Sequence, residues 1–134
     1  MIRLMSPEQP EVFDRLHKLV LKKSTDYLHR DADKYMRMVL EHGVLYVFDE
    51  CIIVVRHEKD EPCSAWLFFE KFNRNVVRAM AEVSQKLAET EHVLVSTQDQ
   101  RIVRILQKMK YRVILQKCGE YYMIRRRYVR DTFD

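Results

Sequence analysis

The sequence predicts one α/β domain, a mixed sheet covered by helices on both faces in three layers. Three observations carry this reading. Apolar stripes at helical spacing alternate with short apolar runs of strand length along the chain. The strand-length runs are apolar at adjacent positions, so both faces of the sheet need cover. The 134 residues show no linker, repeat or low-complexity stretch, and residues 1–127 read as a single domain followed by a tail at 128–134.

Residues 2–5 predict a short first strand. Ser6-Pro7-Glu8 marks a helix start, with proline in the first turn and an acid at the positive end of the helix dipole. Val12, Leu16, Leu19 and Val20 form the apolar stripe of that helix. A second helix is expected from about Asp31, with Tyr35, Met38 and Val39 on one face and Gly43 as its stop. Val44 to Phe48 and Cys51 to Val55 flank Asp49-Glu50 as an antiparallel hairpin. A charged loop, Arg56 to Pro62, leads to a third strand at Ala65 to Phe69. The aromatics Tyr46, Phe48, Trp66, Phe68 and Phe69 could be read as a ligand pocket, and their alternate spacing within these strands favours core.

Asn73 or Asn75 caps the next helix, whose stripe is Val76, Met80, Val83 and Leu87. A strand follows at Val93-Leu94-Val95, then a short helix with Ile102, Ile105, Leu106 and Met109 on one face. The last pair of strands, Arg112 to Lys117 and Tyr121 to Arg126, turns at Cys118-Gly119, where glycine supplies positive φ. The order is β-α-α-β-β-β-α-β-α-β-β.

Composition excludes several function classes. The net charge is +4 with 20 acidic residues interspersed, which permits an anionic partner without demanding one. The cysteines Cys51, Cys63 and Cys118 are odd in number and widely spaced, which fits a reducing cytosol better than a disulfide framework or a zinc site. The five histidines, His17, His29, His42, His57 and His92, lack ligand spacing, so no metal is expected. No apolar run approaches the length of a membrane span. The strongest basic run is Arg125-Arg126-Arg127, with Arg130 beyond and Tyr121, Tyr122 and Tyr128 interleaved. It could meet nucleic acid. The favoured reading is charge on an edge strand that blocks unwanted pairing.

The element order and the segment Asp99-Gln100-Arg101-Ile102-Val103-Arg104-Ile105-Leu106-Gln107-Lys108-Met109-Lys110-Tyr111 resemble the GNAT superfamily of N-acetyltransferases. In that family the segment reads Asn-x-x-Ala-x-x-x-Tyr-x-x-x-Gly-Phe. The Asn matches Asp99, the Tyr that commonly protonates the coenzyme thiolate matches Leu106, and the Gly matches Lys110. Leu106 has no proton to give.

The resemblance also implies a Gln/Arg-x-x-Gly-x-Gly/Ala loop whose backbone N–H groups hold the coenzyme pyrophosphate. Here that stretch is Glu70-Lys71-Phe72-Asn73-Arg74-Asn75-Val76, and no glycine occurs between Gly43 and Gly119. By resemblance, Phe69, Lys71, Asn73, Arg74, Asn75 and Arg78 would stand at the coenzyme. Glu70, at a strand end, is the candidate general base, and its plainer reading is a solvated acid.

The small GNAT-like proteins of tailed phages, some of them internal virion proteins, are similar in size and in the Leu-for-Tyr helix. The resemblance therefore implies a GNAT-fold protein without acetyltransferase activity. It would serve as a phage virion or assembly component with protein partners and no cofactor, in the host cytoplasm or the virion. The alternative is an N-acyltransferase that uses acetyl-CoA on an amine.

Overall fold

A computed structural model describes residues 3–5, 10–24 and 43–127. The expected helix start at Ser6-Pro7-Glu8, the expected helix from about Asp31 and the tail at 128–134 lie outside the described residues. Within them the elements are β1 (Arg3–Met5), α1 (Pro10–Ser24), β2 (Gly43–Val47), β3 (Cys51–Arg56) and β4 (Cys63–Phe69). Then come α2 (Arg74–Ala88), β5 (Val93–Thr97), α3 (Gln100–Lys108), β6 (Arg112–Lys117) and β7 (Glu120–Arg125). The strands form one mixed sheet of seven, ordered β1-β2-β3-β4-β5-β7-β6.

Alternation along β2 and β3 sorts side chains to two cores. Leu45, Val47, Ile52 and Val54 face α1, where Val12, Leu16 and Leu19 bury the stripe legible in the sequence. Tyr46, Cys51, Ile53 and Val55 face the other way, against Val76, Met80, Val83 and Leu87 of α2 and Leu106 of α3. The doubly apolar strands are thus covered on both sides, as their composition requires. Strands β1 to β4 pair antiparallel, and α2 carries the chain back so that β5 runs parallel to β4.

Three expectations change. Gly43 is the first residue of β2, paired with Arg56, and not a described helix stop. Trp66 and Phe69 are half-buried: Trp66 packs beside Phe68 against the α1-side core, while Phe69 faces the other side of the sheet, packs at the rim of the second core and lines a cleft. The edge of the sheet on this side is β6 (β1 is the other edge), and β7 lies between β5 and β6, hydrogen-bonded to both. Arg125 therefore ends an interior strand, with Arg126 and Arg127 exposed beyond it, and the charges of the true edge strand are Arg112 and Lys117. The tight turn makes β6 and β7 neighbours but does not fix which of them meets β5. Met123 of β7, fully buried, settles that choice.

The turn at Cys118-Gly119 has φ of 53° and 77°, the doubly positive signature of a two-residue hairpin turn.

Candidate functional site

Strands β4 and β5 pair only at Cys63 with Val93 and Ser64 with Leu94. Beyond these residues β4 continues to Phe69 and β5 to Thr97 without further pairing, so the sheet splits into a V. Helix α2 starts beyond the open end of β4, and α3 follows β5. The V holds a cavity of about 90 Å³, lined by Ala65, Leu67, Phe69, Val95, Ser96 and Thr97 of the strands and by Leu106 and Tyr111. This is less than the roughly 150 Å³ that accepts a benzene ring in a protein core. A cleft of this size suits a slim chain.

The start of α2 is built by Asn73. Its side-chain oxygen accepts the Val76 N–H at 3.1 Å, and its carbonyl accepts the Val77 N–H at 3.2 Å. The Asn73 amide in turn donates to the Glu50 carboxylate at 3.1 Å. Glu50 arrives from the β2–β3 turn and sets a negative charge beside the cap. Of the two asparagines the sequence offered as caps, Asn73 takes the role and Asn75 is exposed on the first turn. Lys71, Arg74 and Arg78 are also exposed around this turn, Phe69 lines the cleft, and Glu70 is exposed just past the end of β4.

Leu106 is buried in the cleft wall at the position where the resemblance calls for a proton donor. Of the lining residues, Tyr111 is the one with a titratable group. Its hydroxyl shares a 2.8 Å hydrogen bond with the Ser84 hydroxyl of α2. Burial pushes its pKa up, against the opposing pull of the Ser84 hydrogen bond, so the phenol is neutral at pH 7. Sequence reasoning passed over Tyr111 as the aromatic that follows α3. The available signal was its hydroxyl, which a buried aromatic must pair.

Cys63 and Cys51 are buried, and burial holds their thiols at about 12 and about 11, far from a nucleophile's range. Among the described residues, no group of His, Cys, Asp and Glu is placed to hold a metal. No described helix is long and apolar enough to cross a membrane.

A parallel pair that splits into a V, with a helix starting at its mouth, decides the fold. The fold is that of the GNAT N-acetyltransferases. Aminoglycoside 6'-acetyltransferase type Ii superposes with a TM-score of 0.74 at 12% identity, over 97% of this chain and 99% of that one. Aminoglycoside 6'-N-acetyltransferase from Enterococcus faecium gives 0.73 at 11%, over 97% and 98%. Campylobacter jejuni N-acetyltransferase PseH, solved in complex with acetyl coenzyme A, gives 0.66 at 10%, over 96% and 100%. At these identities the likeness is one of fold. No protein-family profile matches the sequence, and no curated protein matches it.

Proposed function

We propose that this chain is a GNAT-fold binding protein that does not run acetyl transfer. The observation that carries the reading is the Glu50–Asn73–Val76 arrangement at the start of α2. Acetyl-CoA, the coenzyme found in a structural neighbour, has two parts to fit. The V between β4 and β5 suits a slim acyl-pantetheine chain. The mouth does not suit the pyrophosphate: Asn73 already takes the Val76 N–H, and the Glu50 carboxylate beside it repels phosphate oxygens. Lys71, Arg74 and Arg78 add positive charge there and, like Glu50, stand in solvent, where screening weakens each of them. Leu106 supplies no proton. Service as a virion or assembly component of the kind found in tailed phages extends this reading on the strength of the sequence pattern.

The cavity in the V favours a second reading, an N-acyltransferase with a looser grip on its coenzyme. Positioning alone can accelerate attack by a neutral amine. The two readings separate in an assay that follows thiol release from acetyl-CoA in the presence of an aminoglycoside, a polyamine and a lysine peptide. The binding-protein reading predicts no release above the protein-free rate. Turnover on any of the amines, abolished by heat denaturation, would overturn it.

A further inference from the structure

We propose that β6 is a docking edge for an extended peptide strand with an apolar centre and acidic ends. Among the described residues, the large apolar side chains that stand exposed are Val113, Ile114 and Leu115, at 38%, 55% and 52%. They are consecutive, and they lie on the strand that ends the sheet. Every residue of β6 is exposed, so its apolar centre serves neither core. Contiguous exposed apolar groups mark interaction surfaces. An edge strand also offers its outer row of backbone donors and acceptors to an added strand.

Charge selects the occupant. Arg112 and Lys117 close the two ends of the strand. A second copy of β6 lying antiparallel and centred on Ile114 and Leu115 would set Arg112 opposite Lys117 at both ends. Like charges directly opposite are destabilising. A strand with Asp or Glu at its ends and β-branched residues between them meets cation with anion and apolar with apolar. The ladder between β6 and β7 also slips between Val113 and Leu115, leaving Ile114 as an extra residue. Bulges and terminal cations keep indiscriminate strands off an edge, which leaves a short and selective one. The proposal gives the binding reading above a surface, yet it does not depend on the cleft. Thiol release from acetyl-CoA judges the cleft alone.

The test uses two labelled hexapeptides, one with glutamate at both ends around Val-Ile-Val-Thr and one with lysine in the same two places. Fluorescence anisotropy reads binding, and amide hydrogen exchange reads the site. The expected result is binding of the glutamate-ended peptide at least ten-fold tighter than its counterpart, weakened by salt, with slowed exchange confined to residues 112–117. The double variant Arg112→Glu, Lys117→Glu should reverse the preference. It alters only exposed side chains, so its unfolding midpoint should stay within a few degrees of the parent. Should the variant fail to fold, the two peptides against the parent protein decide alone. Equal binding of both peptides, unchanged exchange along β6, or pairing of β6 with a second copy in preference to the peptide would overturn the proposal.

Discussion

Lys110 has a φ of 72°, a left-handed conformation that β-carbon crowding makes costly for any residue but glycine. The hydrogen bonds explain why it is held there. Tyr111 N–H reaches the Leu106 carbonyl at 3.0 Å and Lys110 N–H the Gln107 carbonyl at 3.1 Å, a Schellman ending for α3. The resemblance matches this position to a glycine, and here a lysine takes the left-handed backbone that glycine adopts freely. Lys110→Gly should therefore raise stability by about 1 kcal/mol in urea unfolding.

Next to it, Tyr111 and Ser84 satisfy each other in the core. Removing either hydroxyl alone, by Tyr111→Phe or Ser84→Ala, should cost about 1–3 kcal/mol, because a buried polar group loses its partner. The double variant should cost less than the sum of the two, and a double-mutant cycle on unfolding free energies measures the difference. The thiols divide by burial. Cys118 is exposed, while Cys51 and Cys63 are buried with raised pKa values. An aromatic disulfide reagent at pH 8 should label one thiol quickly in the native protein and the other two only on unfolding. The Asn73 cap was legible in the sequence because capping is local chemistry. Its bond to Glu50 was not, since that contact joins two turns 23 residues apart.

At the scale of elements, the sequence is most informative where one local pattern suffices. The α1 stripe, the β2–β3 hairpin, the α2 stripe and the Cys118-Gly119 turn all stand where periodicity and turn chemistry put them. Leu16 has no exposed surface on the inner face of α1. Leu16→Ala should cost about 2–5 kcal/mol by chemical denaturation, the range for a cavity left in a packed core. A loss below 1 kcal/mol would mean that α1 does not seal its face of the sheet. Strand order is less legible. Both strands of the last hairpin contain apolar residues, and no local signal says which one is inserted beside β5. Met123 of β7 is fully buried in the core cluster that also holds residues of β5, α2 and α3, whereas every residue of β6 is exposed. For the same reason the run Arg125 to Arg127 reads as edge charge in the sequence although β7 is an interior strand.

For the whole molecule, the three-layer arrangement followed from composition and periodicity, and the structural neighbours share it across nearly their full lengths. The candidate site was half legible. Missing glycines and Leu106 could be read from the chain, because a pyrophosphate loop and a proton donor need particular residue types at fixed places. The split of β4 from β5 could not, because it depends on where parallel pairing stops. The central claim is that the V persists while the phosphate grip at α2 is lost. Thermal unfolding with and without millimolar acetyl-CoA tests this most directly. A ligand at about 100 times its Kd stabilises the native state by roughly 2.7 kcal/mol. For a domain of this size that raises the midpoint by about 10 °C. The account predicts no shift. A shift of that size, abolished when acetyl-CoA is replaced by S-acetylpantetheine, would contradict it, because the phosphates would then be held at the mouth that Glu50 and Asn73 are argued to close.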